Sequence, residues 1–192
     1  TDKRHMILTV NGLMGACAAA AVLLRYPDAR LQFTSPRHLP KALEFLHGEK
    51  YAGTVHICGI GISMPSEELD EILKSLPDSM SLVWYGGSDH PELQQYARRL
   101  GAKAEFQLSA APTTTKAIID SLGVQELARA LLLTELAEEA LRNNAPRSEL
   151  HRFCHDTVHA ANRRFFFFGD DILNEKTIQY LAGVKERSRE LD

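Results

Sequence analysis

Residues 5–24, HMILTVNGLMGACAAAAVLL, run from an apolar stretch through Asn11-Gly12 straight into an alanine-rich segment. Met6–Val10 is rich in apolar and β-branched residues and reads as a buried strand, whereas Leu13–Arg25 has the length and alanine content of a helix. A strand passing through a tight turn into a helix is where α/β proteins place ligands. This turn has no carboxylate, no lysine and no glycine-rich cradle.

The same unit recurs downstream. Leu31–Thr34 reads as a short strand closed by Ser35-Pro36, and Leu39–His47 as a helix with Leu39, Ala42, Leu43 and Leu46 on one face. Thr54–Cys58 is a third strand ending at Gly59 and Gly61. After it, Pro65-Ser66-Glu67-Glu68 opens a helix whose buried face is Leu69, Ile72, Leu73 and Leu76. Met80–Tyr85 is a fourth strand, broken by Gly86-Gly87 and followed by a helix from Pro91 to Leu100; Ala104–Leu108 supplies a fifth. Such alternation predicts a doubly wound, mainly parallel five-stranded sheet flanked by helices, because right-handed crossovers lay each helix back on the sheet. Beyond Pro112 the pattern turns helical, over Thr113–Leu122 and Gln125–Asn143, with no further strand until RRFFFF. Asn143-Asn144-Ala145-Pro146 marks a boundary between an α/β domain over 1–143 and a C-terminal helical appendage over 144–192, with helices around Glu149–Asn162 and Asn174–Arg189.

Composition narrows the function classes. The 192 residues are 44% hydrophobic and 24% charged, with a net charge of −3 and a pI near 6.2, which gives no global bias toward nucleic acid. Cys17, Cys58 and Cys154 are widely spaced and odd in number, as expected of reduced thiols in a cytoplasmic protein. The longest apolar run, Gly12–Leu24, is too short to span a bilayer, so no membrane role is expected.

In an open α/β sheet the ligand crevice lies beyond the carboxyl ends of the strands. That singles out Thr9–Gly12, Ser35–His38, Gly59–Ser63 and Gly86–His90. At these positions NGLMGACAAAAVLLRYPDARLQFTSP, VHICGIGI and VWYGGSDHPE, in that order and spacing, resemble three motifs of the DHH phosphoesterase superfamily, in particular its oligoribonuclease-like and RecJ-like branch. The resemblance covers roughly residues 7–143 and implies two-metal hydrolysis of a phosphoester, usually with manganese. The departures fall on the metal ligands. The family's opening histidine and two aspartates land on Ile7, Thr9 and Asn11, its second-motif aspartate on Gly59, and its Asp-His-His triplet on Ser88, Asp89 and His90. A fourth-motif aspartate falls near Leu141, with Glu138 and Glu139 close by. Only Asp89 and His90 remain as candidate ligands, too few anionic oxygens to draw paired divalent cations out of water.

Other residues offer further readings. Asp89 before Pro91-Glu92 also suits a helix entry, with Asp89 or a neighbour capping free amides. Gly87 and Ser88 could bring backbone N–H groups to a phosphate, or simply form a tight turn. Ser35, Arg37 and His38 could meet a nucleotide phosphate by charge-assisted bonds, or be solvated loop residues. Gly59-Ile60-Gly61 lacks the third glycine of a dinucleotide fingerprint. His151, His155 and His159 share a helix face, but the outer two would stand ~12 Å apart along the axis, so a zinc site needs a ligand from elsewhere. Phe165, Phe166, Phe167 and Phe168 cannot all point one way in an extended chain. They read either as a buried strand or loop under the last helix, or as a subunit interface.

The expected function is therefore a catalytically inactive DHH-like binding or scaffold module. Its ligand-contacting positions would be Asn11, Gly12, Ser35, Arg37, His38, Gly59, Gly61, Gly87 and Ser88, and its partners a second copy, a protein complex, or nucleotide or nucleic-acid phosphate. No cofactor is expected. The opposing reading is an active phosphodiesterase or pyrophosphatase holding manganese or magnesium with Asp89, His90, His38 and Cys58.

Overall fold

Alternation along the strands dictates two cores, one on each side of a sheet. The computed structural model describes residues 4–168 and 172–183, with backbone alone for 164–168, 172 and 173. Strands β1 (Arg4–Thr9), β2 (Arg30–Phe33), β3 (Gly53–Cys58), β4 (Met80–Gly86) and β5 (Glu105–Leu108) form one all-parallel sheet in the order β2-β1-β3-β4-β5. This is the predicted α/β fold. Successive strand residues point to opposite faces, so Met6, Leu8, Val55, Ile57, Leu82 and Trp84 meet helices α2 (Leu39–Gly48), α3 (Ser66–Ser75) and α4 (Leu93–Leu100) on one side. Ile7, Cys58, Val83 and Tyr85 meet α1 (Leu13–Leu23), α5 (Thr114–Leu122), α6 (Ala128–Arg142), α7 (Glu149–Phe168) and α8 (Ile172–Ala182) on the other.

Helix α1 has no polar face. Residues 15–23 are all buried, as an apolar run without amphipathic spacing requires when sheet and helices enclose it. Its entry is set by Gly12, whose φ of 115° is a left-handed-region value that side chains resist. Gly15 is equally constrained, because a Cβ there would lie 2.0 Å from the carbonyl oxygen of Val10.

Helices α7 and α8 contribute side chains to the core of the α/β unit. Cys154 and Val158 of α7, and Ile178, Leu181 and Ala182 of α8, share a cluster with α1 and Ile7. RRFFFF, expected to be extended, instead continues the helix that begins at Glu149. Helix propagation adds a hydrogen bond for each residue fixed, so an established helix runs through aromatic residues that alone would favour a strand. The side chains of Phe165–Phe168, on which the interface expectation rests, lie outside the described residues.

A carboxylate ties α6 to α7. Glu139 is fully buried, with His151 Nδ1 2.7 Å from Oε1, His155 Nε2 3.3 Å from Oε2, and the Arg147 Nε and backbone N each 3.3 Å from Oε1. Burial alone would raise its pKa. The hydrogen bond and charge of His151, the bond from His155 and the Arg147 amide outweigh it and hold the carboxyl below its ordinary value. Breaking a buried pair leaves the partner charges uncompensated, so Glu139→Ala is expected to cost about 3 kcal/mol in urea unfolding, with Glu139→Gln milder.

Candidate functional site

The strand order reverses between β1 and β3, so the crevice of this fold opens beyond Thr9 and Cys58. The sequence-predicted turns do gather at this edge. Thr34 N donates to Thr9 O at 2.8 Å, Gly59 approaches Gly15, and a Cβ on Gly61 would lie 3.4 Å from His90 Nδ1 and 2.6 Å from Glu92 Oε1. Gly59 adopts a φ of 64°, which allows the chain to turn sharply off β3.

What these turns do with their polar atoms decides the chemistry. Ile7 is wholly within the core. Thr9, also fully buried, places its hydroxyl 2.9 Å from Gly15 O and 3.2 Å from Cys58 O, stitching β1 to α1 and β3. Asn11 Oδ1 accepts from Nδ2 of Asn174 on α8 at 3.3 Å. Ser88 donates its amide to Ala111 O at 2.7 Å and its hydroxyl to Ala110 O at 3.4 Å.

Asp89 has both oxygens engaged. Oδ2 accepts the Thr114 backbone N–H at 2.9 Å and Oδ1 the Thr114 hydroxyl at 3.0 Å. The carboxylate thus sits on the first turn of α5, where free amides and the helix dipole favour a negative charge. Capping was legible in the sequence, but the helix capped lies further along the chain than the one Asp89 precedes. Gly87 is buried against the same junction, because a Cβ would meet Thr113 C at 2.5 Å and Ala111 O at 2.8 Å. His90 Nδ1 lies 3.1 Å from Glu92 Oε1. Arg37 and His38 are exposed, and His38 Nδ1 lies 2.9 Å from Ser35 Oγ.

This donor set does not fit a dinuclear manganese or magnesium centre. Hard cations need several anionic oxygens with free lone pairs, and the remaining groups here are neutral or already bonded within the chain. Cys58 lies in the core beneath α1, where burial pushes its thiol pKa far up, so it is not brought together with exposed His38. His151 and His155 face Glu139 while His159 is exposed, and no group of three or more metal-ligating side chains converges among the described residues. Removing the Asp89 carboxylate should cost what a lost helix cap costs, about 1–2 kcal/mol for Asp89→Ala by urea unfolding.

One polar constellation was missed from sequence. His5 Nδ1 lies 2.9 Å from His56 Nε2, and His56 Nδ1 lies 3.0 Å from the Tyr85 hydroxyl. Tyr26 stacks on His5 with ring centroids 3.8 Å apart. The available signal was the alternation in TVHIC, which puts His56 on a face that a doubly covered parallel sheet must bury. Burial, then the neighbouring His5, lower the His56 pKa to about 4. An unfolded chain therefore takes up this proton first as pH falls. Stability attributable to His56 is complete above about pH 6.5 and lost toward pH 4, a total of about 3 kcal/mol. His56→Gln should flatten the pH dependence of the urea midpoint across that window relative to the unsubstituted chain.

Fold and site together define an α/β protein with a five-stranded parallel sheet, in whose crevice Thr9, Asn11, Ser88 and Asp89 are bonded within the chain. No protein-family model matches the chain, and no curated protein matches it. The solved structure of an uncharacterized protein from Helicobacter pylori G27 is similar, with a TM-score of 0.63 at 12% identity over 94% of this chain and 55% of that one. At such identity the likeness is one of fold alone. This chain spans 55% of that structure's length.

Proposed function

We propose that this chain is a catalytically silent DHH-phosphoesterase-like domain that works by binding. Its roles are to assemble with a second copy or with a protein complex in the cytoplasm, and to recognise nucleotide or nucleic-acid phosphate without cleaving it. The observation that carries the reading is Asp89. It is the one carboxylate at the motif positions, and it spends both oxygens on Thr114. Catalysis of phosphoester hydrolysis by paired metals requires ligands free to bind them, and a carboxylate used as a helix cap is not free. Thr9 and Asn11 extend the argument, since neutral groups bonded to backbone carbonyls and to Asn174 stand where the resemblance calls for acids.

Phosphate recognition without metals falls to groups still open to solvent. Arg37 and His38, exposed at the end of β2 beside Ser35, are the candidates, because a guanidinium and an imidazole can make charge-assisted bonds to phosphate oxygens.

Equilibrium dialysis with manganese, paired with hydrolysis assays on short oligonucleotides, cyclic dinucleotides and pyrophosphate, tests the proposal. Neither stoichiometric manganese binding nor turnover is expected. Tight binding accompanied by turnover that Asp89→Ala abolishes would replace this reading with an active metal-dependent phosphodiesterase or pyrophosphatase.

A further inference from the structure

The opposite edge of the sheet, where the strands begin, holds a cavity of 570 Å³. Arg4 opens β1 and Arg30 opens β2, and the strand register sets Arg4 beside Gly53 and Arg30 beside Met6. Both arginines line the cavity with Lys50 and Tyr51, and so do the acids Glu49 and Asp78. Three cations face two anions, yet none of the three forms an ion pair among the described residues. Arg4 and Arg30 also line an adjoining cavity of 450 Å³, to which Arg25 contributes a further guanidinium.

Tyr51 gives this cluster its meaning. The residue is 6% exposed, its ring belongs to the core of the α2–α4 face, and its hydroxyl has no hydrogen-bond partner among the described residues. Buried hydroxyls are almost always bonded, and leaving one unmade costs the desolvation of the group. Burial raises the Tyr51 pKa while the charges of Arg30 and Arg4 oppose it, so the phenol remains protonated and both guanidiniums lie within electrostatic reach. A protonated phenol beside unpaired guanidiniums is a donor lacking an acceptor.

We propose that Arg4, Arg30, Lys50 and the Tyr51 hydroxyl form a binding site for a phosphate group, either inorganic phosphate or the phosphomonoester of a small molecule. Two guanidiniums, an ammonium and a phenol line one cavity and bring more donors than a carboxylate's two oxygens need, whereas a phosphate offers further oxygens to accept from them. The exposed arginine side chains swing onto the anion and let one of its oxygens reach the hydroxyl. This site lies across the sheet from Arg37 and His38, so it stands independently of the function proposed above.

Isothermal titration of the full chain with inorganic phosphate, and separately with phenyl phosphate, at ionic strength held constant with sodium chloride, tests the site. Saturable binding of either is expected, and the tighter ligand identifies the source of the phosphate. Tyr51→Phe should bind roughly tenfold more weakly, since it loses one hydrogen bond to a charged group. The same variant should melt no lower than the unsubstituted protein in phosphate-free buffer. Arg30→Gln should lose this binding, and Lys41→Ala, at an exposed position in the first turns of α2 and outside the cavity lining, should keep it. Heats no greater than the chloride control would overturn the proposal. So would undiminished binding by Tyr51→Phe, or a lower melting temperature of that variant without phosphate, which would reveal a structural partner for the hydroxyl.

Discussion

Helix α1 lies with residues 15–23 out of water, and its side chains are alanine, glycine, cysteine, valine and leucine. Such a helix cannot rest on a sheet with one side exposed, as α2 and α3 do with their single apolar stripes. It must be enclosed, and α5, α6, α7 and α8 pack around it. Small side chains let these neighbours come close, so each added helix gains dense packing rather than leaving voids. Enclosure has a consequence at the crevice. With α8 held against α1, Asn174 reaches Asn11, and the turn that would otherwise face a ligand is bonded within the chain.

The strands and helices of the first 108 residues were legible because their signals are local. Short continuous runs of apolar and β-branched residues in Met6–Thr9 and Leu82–Tyr85, and three- and four-residue spacing in Leu39–Leu46, are each complete within one element. What the sequence could not show were pairings across distance. Nothing near Asp89 names Thr114 as its partner, and nothing near Glu139 names His151 and His155, although the shared helix face of those histidines was readable. The four phenylalanines misled for a related reason. Their intrinsic preference is for strands, but the preceding helix decides their backbone.

Two carboxylates show how the protein uses negative charge. Glu139, fully buried, is met by two imidazoles and Arg147; Asp89, half-buried, is met by an amide and a hydroxyl at a helix start. Both join elements that are separate in sequence, Glu139 linking α6 to α7 and Asp89 linking the end of β4 to α5. A carboxylate in a low-dielectric setting demands such partners, and once they are supplied it has little capacity left to attract a cation. Structural and catalytic uses of the same residue therefore compete, and at both positions the structural use engages both oxygens.

The two edges of the sheet divide along the same physical line. At the carboxyl ends of the strands, Thr9, Asn11, Ser88 and Asp89 each have their hydrogen bonds inside the chain. At the amino ends, among the described residues, a buried phenol lacks a partner and the neighbouring cations Arg4, Arg30 and Lys50 form no ion pair. Bonds already made stabilise the fold and leave nothing for a ligand to gain, whereas an unmade bond at a buried donor is free energy that only an incoming acceptor can recover. By that measure the unusual feature of this α/β protein is where its unmet polar demand lies: across the sheet from the crevice in which its fold would ordinarily hold a ligand.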